Sequence, residues 1–237
     1  MRKVLYLYSA LVSVSPAMAE AITGQAELGF VATTGNTETQ LLNAKVKLFM
    51  ETDTWLHTGK LAAYNSSNTD QTTGQDVTTA EKYSGEIKSD RNLDDRQYLY
   101  GLGNYDKDRF SGFDYQAALG AGYGYKVIAS DVAKLTLEAG PGYRINAIEN
   151  GAKEDELTLR LAEAYMLKFS DTAQFDQYLT VESGDYNTIA KLGASVQSAL
   201  SKALALKVGI DIKYTDKVPL GLDDTDTETY ASVLYNF

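Results

Sequence analysis

Few side chains in this chain can carry out acid–base or nucleophilic chemistry. Its 237 residues contain one histidine, His57, and no cysteine. Histidine or a thiolate beside a carboxylate is the usual source of a general base or an activated nucleophile, and zinc is usually held by the same residue types. His57 shares one face of an alternating run with Trp55, so we interpret it as an interfacial residue. We expect no catalytic residue, no metal and no cofactor, and the protein is predicted not to be an enzyme.

Two further motifs could be mistaken for ligand sites. Gly120, Gly122 and Gly124 are closely spaced, but they lack the strand-turn-helix context of a nucleotide-binding loop. An acidic run near the carboxyl end lacks the glycine and the terminal glutamate of a calcium loop; it comprises Asp223, Asp224, Asp226 and Glu228. We interpret that run as a solvated loop that can share divalent ions loosely with lipopolysaccharide.

The elements that must position these residues are strands, because apolar and polar residues alternate along most of the chain. The pattern is clearest in two runs, around 115–127 and 135–145. Twelve such runs are predicted, beginning near residues 22, 42, 55, 80, 97, 115, 135, 157, 175, 188, 204 and 225. A polar loop is expected from Asn65 to Thr79, between the third and fourth strands. In the eighth strand Glu163 falls on the apolar face, which predicts either a bulge or a position near a membrane interface.

Composition narrows the class of protein. No apolar segment reaches the roughly 18 residues of a membrane-spanning helix, and the mean hydropathy is −0.27. Seventeen tyrosines and nineteen glycines against three prolines favour strands with aromatic girdles. The formal net charge of −10 argues against nucleic acid as a partner.

The amino-terminal residues have the pattern of an export signal. Arg2 and Lys3 precede a mostly apolar run, and Ala17-Met18-Ala19 matches a small-x-small cleavage site. The run is too short and too often interrupted for a spanning helix. We therefore expect residues 1–19 to be a cleaved signal peptide, with cleavage between Ala19 and Glu20, and residues 20–237 to form one domain.

The last strand predicts how the sheet ends. A strand that runs to the carboxyl terminus leaves an exposed edge unless the sheet closes and pairs it with the first strand. The ending also resembles the carboxyl-terminal signature that the outer-membrane assembly machinery reads. Its matching positions are Ala231, Val233, Tyr235 and Phe237.

These features together predict a closed antiparallel transmembrane β-barrel of about twelve strands. The even count places both termini on one side, the periplasmic one, and most connections after odd-numbered strands are longer than those after even-numbered strands. A soluble barrel or sandwich is the alternative, because periodicity cannot tell the inside from the outside. It predicts apolar side chains inside and polar ones outside.

Sorting residues by parity gives candidates for the barrel interior. The charged candidates are Lys126, Glu138, Arg144, Arg160, Lys207, Asp211 and Lys213. Bases outnumber acids in this sorting, which predicts a basic surplus and a preference for anions, although cross-lumen pairing could remove it. Seven glycines are also assigned to the inner wall, where they could give either curvature or a smooth solute path; they are Gly101, Gly103, Gly120, Gly122, Gly124, Gly140 and Gly142.

Several motifs together resemble the salt-induced outer-membrane proteins of the YdiY type, a family without an assigned biochemical function. They are Thr34-Gly35-Asn36-Thr37, Tyr98-Leu99-Tyr100, Asp108-Arg109-Phe110, Leu119 to Tyr125, Leu137 to Tyr143 and Leu234 to Phe237. The resemblance covers nearly the whole mature chain and implies an outer-membrane barrel of Gram-negative bacteria, not a reaction. We expect either a narrow channel for ions or small solutes or a non-conducting, stress-responsive envelope protein with a filled lumen. The expected partners are outer-membrane lipid, lipopolysaccharide and the export and barrel-assembly machineries.

Overall fold

The computed structural model describes residues 22–33, 39–69, 73, 75–149, 151–219 and 221–237. The predicted signal peptide with its Ala19/Glu20 junction and the turn at 35–37 lie outside the described residues. No helix among the described residues is long and apolar enough to cross a membrane.

The described chain forms twelve β-strands joined by short connections. They are β1 (Ile22–Thr33), β2 (Thr39–Glu51), β3 (Trp55–Thr69), β4 (Asp76–Asn92), β5 (Gln97–Asp108), β6 (Phe113–Ala129), β7 (Ala133–Ile148), β8 (Lys153–Lys168), β9 (Ala173–Gly184), β10 (Thr188–Ala199), β11 (Leu204–Thr215) and β12 (Thr225–Asn236).

These strands form one closed antiparallel barrel in which each pairs with its neighbours in sequence and β12 pairs with β1. At the closure, Gly24 and Phe237 exchange two backbone hydrogen bonds of 2.8 and 3.0 Å. The Phe237 ring covers Gly24, where a Cβ atom would lie 2.5 Å from Phe237 Cζ. The predicted twelve-stranded barrel is therefore confirmed, and the terminal strand has no free edge.

We call the end with the connections after β1, β3, β5, β7, β9 and β11 the loop end, and the opposite one the turn end. Ile22 and Phe237 both lie at the turn end. The connections after β1, β3 and β11 are the longer ones. Those after β5, β7 and β9 are as short as the turns, so the predicted asymmetry holds for only half of the hairpins.

The distribution of side chains is the reverse of that in a soluble barrel. On the outer face Leu119 and Leu157 are 67% and 78% exposed, whereas Arg144 and Asn146 on the inner face are 2% and 0% exposed. The alternative of a soluble barrel or sandwich with an apolar interior therefore does not fit.

Aromatic side chains form a row on the outer face near each end. The turn-end row contains Trp55, Tyr125, Tyr165, Phe175, Tyr235 and Phe237, and the loop-end row contains Tyr83, Tyr105, Tyr115, Tyr143 and Tyr214. On β6 the two rows are separated by Tyr115 to Tyr125, ten residues or about 33 Å of strand. With the tilt typical of such barrels, this gives an apolar band about 25 Å high.

One local expectation for the strands requires correction, and a second is narrowed to one of its two alternatives. The loop predicted from Asn65 to Thr79 is shorter, because β3 continues to Thr69 and β4 starts at Asp76, with a register shift between Ser66 and Ser67. The polar residues of this segment extend the β3–β4 hairpin, since backbone hydrogen bonds between strands form without apolar side chains. No register shift occurs along β8, so a bulge does not explain Glu163. Glu163 faces outward beside Tyr165 and accepts a hydrogen bond of 3.4 Å from Gln177.

Candidate functional site: the polar lumen

The inner face of the barrel carries a network of ion pairs that differ strongly in burial. One group, which we call the packed cluster, lies on β4, β7, β8 and β9 and consists of Lys88, Asp90, Glu138, Arg144, Glu156, Arg160 and Glu182. All of its charged side chains are largely removed from solvent, so each depends on its partners and hydrogen bonds.

Arg144 and Glu156 are the most buried members, with 2% and 4% of their side chains exposed. Arg144 Nη2 lies 2.7 Å from Glu156 Oε1, and the guanidinium also donates to the backbone carbonyls of Glu182 and Asn187. Glu156 Oε2 accepts from the backbone N–H groups of Tyr186 and Asn187 at 2.7 and 3.1 Å. The ion pair thus holds the β9–β10 connection against the barrel wall.

Asn187 extends this anchor to the β11–β12 connection. Its amide nitrogen donates to the Lys217 carbonyl at 2.7 Å, and its amide oxygen accepts from the Lys217 N–H at 3.0 Å. Asn187 thus binds both the backbone N–H and the backbone carbonyl of Lys217, as the residue of a paired β-strand would. One buried carboxylate, Glu156, therefore organises two connections at the loop end.

The second part of the packed cluster lies around Glu138. Its carboxylate contacts Lys88 at 2.6 Å and Arg160 at 2.8 Å, and it accepts a hydrogen bond of 2.7 Å from the Tyr98 hydroxyl. The cations also contact ring faces: Lys88 Nζ lies 5.1 Å from the centre of the Tyr98 ring, and the Arg160 guanidinium lies 5.4 Å from that of Tyr100. Such contacts stabilise cations more strongly where water is excluded.

Glycines on the neighbouring strands make room for these tyrosine rings. A Cβ atom on Gly124 would overlap the Tyr98 ring, and one on Gly122 would lie 2.7 Å from the Tyr100 hydroxyl. The pairing of Tyr178 with Gly193 and of Tyr230 with Gly209 repeats the arrangement on other strands. An inward tyrosine therefore lies flat over a glycine of the next strand, a known way of covering the bare backbone.

A second group of charged side chains faces water inside the barrel, and we call these the open charges. They are Lys45, Lys60, Glu86, Asp106, Lys191 and Asp211. They also form pairs, such as Lys60 with Glu86 at 2.7 Å, but the Lys60 side chain is 47% exposed. The lumen next to these residues is therefore accessible to solvent.

Two contacts near the loop end cross the barrel from one wall to the other, and we call them the crossbars. Lys191 on β10 pairs with Asp106 on β5 at 2.8 Å, and Lys213 on β11 donates to Gln116 Oε1 on β6 at 2.9 Å. Each joins strands that are five positions apart around a ring of twelve. Gln116 also donates to Asn146 of the neighbouring strand β7 at 2.8 Å, which links this crossbar to the Arg144 region. At this level side chains from both walls meet across the lumen.

The predicted inward candidates can now be located. Glu138, Arg144 and Arg160 meet in the packed cluster, and Lys213 forms a crossbar. Lys207 contacts Glu27 at 2.9 Å, and Asp211 contacts Lys45 at 3.1 Å. Lys126 donates a hydrogen bond of 3.3 Å to the amide oxygen of Asn92 and takes part in none of these ion pairs. On the inner face of β6, a Cβ atom added to Gly120 would lie 3.6 Å from Leu102 Cγ. Gly120 therefore has more room than Gly122 or Gly124.

The predicted basic surplus is wrong. Further carboxylates face inward and bind the bases; they are Glu27, Asp90, Asp106, Asp108, Glu156 and Glu182. Asp226 and Glu228 also face inward, opposite Lys213 and Asp211 in the β11–β12 register. Inward charges are therefore close to balance. In the part of the chain that the structure describes, Lys47, Lys126 and Lys213 have no carboxylate within ion-pair distance.

The assignment of Gly101 and Gly103 to the inner wall is also wrong. They face outward, because Tyr98, Tyr100 and Leu102 occupy the inner face of β5 and are buried there. The apolar residues of β5 occur on both faces, so hydrophobicity does not fix its parity. Asp106 and Asp108 share the parity of Tyr98. Their charges could have identified this face of β5 as the inner one. The wall is not smooth, since Tyr98 and Tyr100 cover Gly124 and Gly122.

The remaining predicted residues lie on the outer face. His57 stacks on Trp55 with ring centres 5.6 Å apart, and its Nδ1 lies 2.8 Å from the Ser89 hydroxyl. Ala231, Val233, Tyr235 and Phe237 alternate with inward residues on β12, and the Tyr235 and Phe237 rings stack at 6.0 Å. Among the described residues no cluster of His, Cys, Asp or Glu has the composition of a metal site.

Comparison with solved structures shows the same fold. The translocator domain of the autotransporter NalP from Neisseria meningitidis matches with a TM-score of 0.51 and 14% identity over 94% of this chain and 90% of that one. The NanC porin matches with a TM-score of 0.53 and 11% identity over 91% and 98%. An outer-membrane channel from Pseudomonas putida F1, of the COG4313 group, matches with a TM-score of 0.51 and 9% identity over 95% and 100%.

Sequence comparison identifies relatives of unknown function. The uncharacterized protein YdiY of Escherichia coli (strain K12) is 29% identical over 216 residues, which cover 90% of this chain and 82% of that protein. The profile of the family described as "Protein of unknown function, DUF481" matches residues 26–237. This match covers nearly the whole chain, and the protein therefore belongs to the DUF481 family.

Proposed function

We propose that this protein is an outer-membrane barrel that acts as a narrow, water-filled channel for ions or small solutes. The observation that carries the proposal is the solvent-exposed row of open charges inside a closed barrel whose outer face is apolar. A charged, wet interior gives ions a path of low desolvation energy, whereas the apolar band with its aromatic rows matches a bilayer. The likeness to a porin and to an outer-membrane channel supports the same interpretation.

The charge distribution leads us to expect a weak preference for cations. The inward charges are close to balance, while the β11–β12 connection at the loop end carries Asp216, Asp223 and Asp224. Fixed negative charge at a narrow mouth raises the local concentration of cations. The anion preference expected from a basic surplus is no longer supported.

Planar-bilayer recording of the refolded protein tests the channel directly. We expect discrete current steps in potassium chloride and a reversal potential in a salt gradient that indicates a small cation preference. Clear anion selectivity would show that the charge assignment is wrong. The absence of current from barrels proven to be folded would reject the channel.

The competing function is a non-conducting envelope protein. The crossbars and the packed cluster favour it, since both reduce the free cross-section of the lumen. Swelling of proteoliposomes in neutral solutes of increasing size separates the two functions. A channel admits at least the smallest solute, whereas a filled barrel admits none.

Membrane insertion is proposed to depend on Phe237. Its ring covers Gly24 at the barrel closure and stacks on Tyr235, in addition to matching the assembly signature. Deletion of Phe237 is expected to leave export intact and to prevent recovery of folded barrel from outer-membrane fractions. Insertion at the normal level would show that this resemblance has no role in assembly, and Phe110→Ala, in the exposed β5–β6 connection, is the control.

A further inference from the structure

The crossbars separate charge across the lumen. Lys191 and Lys213 lie opposite each other on neighbouring strands of one wall, β10 and β11, while Asp106 lies on β5 of the opposite wall. Two ammonium groups therefore face one carboxylate across the barrel near its loop end. Such an arrangement produces an electric field directed across the lumen instead of along it.

The two lysines are not equally satisfied. Lys191 is paired with Asp106, but among the described residues the ammonium group of Lys213 has only the amide oxygen of Gln116 within hydrogen-bond distance. An ammonium group has three N–H donors. Lys213 can therefore accept an additional anionic group without giving up the Gln116 contact.

Asp106 can likewise exchange its partner, Lys191, for another cation. The Lys191 and Asp106 side chains are 37% and 29% exposed, so their ion pair is in contact with water. Pairs of this kind contribute little to stability because water and mobile ions replace them readily. The positive group of a zwitterionic solute could replace Lys191 as the partner of Asp106. Lys191 and Lys213 would then bind the negative group of the same solute.

We propose that the crossbars form a binding site for small zwitterionic solutes. This site rests on the channel function proposed above. The solute carboxylate would bind Lys213 and Lys191, and its ammonium group would bind Asp106. Neither a simple cation nor a simple anion satisfies both walls. A zwitterion does so with one molecule, and it aligns with the field across the lumen.

The probe is β-alanine, with propionate, propylammonium and propionamide as matched compounds that lack one or both charges. We expect millimolar β-alanine to reduce the potassium chloride current through the wild-type barrel in a saturable way, and propionamide to have no such effect. Equal reduction by propionate would show an anion site on lysine and overturn the zwitterionic class.

The variants are Lys213→Gln and Asp106→Asn, which keep the size and polarity of the side chains. Each is expected to weaken the effect of β-alanine at least about tenfold, as loss of a charge-assisted contact does. Lys202→Gln and Asp171→Asn, in turns at the turn end, are the matched controls and should behave as the wild type. Heat-modifiability on gels shows that each variant is folded.

Calorimetric titration of β-alanine into the refolded barrel in detergent separates this site from the channel. Binding without any current would keep the site and reject the channel. Current without binding or block by β-alanine would keep the channel and reject the site. Unchanged β-alanine affinity in both Lys213→Gln and Asp106→Asn would also overturn the proposal.

Discussion

The packed cluster and the open charges consist of the same residue types in the same lumen, yet their environments differ. Arg144 and Glu156 are almost fully buried and make several hydrogen bonds to the backbone of two connections. Lys60 and Glu86 are as close to each other, but they are exposed to water and lie in the middle of their strands. The presence of an ion pair therefore does not by itself indicate its role, which depends on burial and on additional hydrogen bonds.

This difference divides the interior into a buried part and a part that is exposed to solvent. Removing one partner of a buried pair leaves an uncompensated charge, which is strongly destabilising. An exposed pair can be broken with little cost, since water solvates both groups. Under the proposed channel function, the packed cluster serves the stability of the barrel and the open charges serve conduction.

The largest effect is expected for Arg144→Met. The substitution leaves Glu156 buried without its cation, so the free energy of unfolding should fall by about 3–5 kcal/mol. Urea unfolding of the refolded protein in micelles measures this change. Arg109→Met, at an exposed pair with Glu81, is the control and should change stability by less than about 1 kcal/mol. Equal effects of the two substitutions would remove the distinction between the groups.

A smaller loss of stability is expected for Gly124→Ala. The added Cβ atom would overlap the Tyr98 ring and push it from its contact with Glu138. Overpacking of this kind typically costs about 1–3 kcal/mol. Gly101→Ala is the matched control, because nothing lies within 4 Å of a Cβ atom at that outward position. If Gly124→Ala is as stable as Gly101→Ala, the tyrosine-over-glycine packing is not tight.

Lys60→Met should hardly change stability, by less than about 1 kcal/mol, because its pair with Glu86 is exposed. It should instead alter the reversal potential toward stronger cation preference, since one positive charge leaves the solvent-accessible path. Unfolding and bilayer recording on the same preparation check both outcomes. A large loss of stability without a change in selectivity would contradict the assignment of the open charges.

The smallest effect is expected outside the lumen, at the β4–β5 turn. The backbone N–H groups of Arg96 and Gln97 donate to the Asp94 carboxylate at 2.8 and 2.7 Å and lower its pKa. Because the folded-state pKa is depressed, the stabilisation is present above the unfolded pKa and is lost as the pH falls through the folded pKa. Comparing unfolding of Asp94→Asn and the wild type at neutral and acidic pH measures it. The difference between them should shrink at acidic pH, and a growing one would contradict the sign.

The sequence alone predicted the number of strands, the closure and the parity of most strands. Alternation is strict on β6 and β11, where one face is continuously apolar, so the outer face can be identified from residue type. On β5 the inner face carries Tyr98, Tyr100 and Leu102, and residue type no longer separates the two faces. The parity error for Gly101 and Gly103 follows from that similarity.

Contacts between distant strands could not be derived from alternation. The pairing of Lys191 with Asp106 joins residues on nearly opposite walls, and the contact of Glu156 with Tyr186 and Asn187 depends on an inward-folded connection. Both require the barrel diameter and the stagger between strands, which a one-dimensional pattern does not contain. The balance of charge in the lumen does not depend on those distances, because Glu27, Glu156 and Glu228 have the inward parity of their strands and could have been counted from the alternation.

The division of the lumen is tested most directly by cysteine accessibility, which is clean because the chain has no cysteine of its own. A water-soluble, charged methanethiosulfonate reagent is applied to the folded Lys60→Cys and Thr158→Cys barrels while single-channel current is recorded. Both positions face inward, but Thr158 is buried beside Gly142. The expected result is rapid modification and a lower current at position 60, with protection at position 158 until the barrel unfolds. Equal reactivity at the two positions, or protection of both, would contradict a solvent path that runs along the open charges.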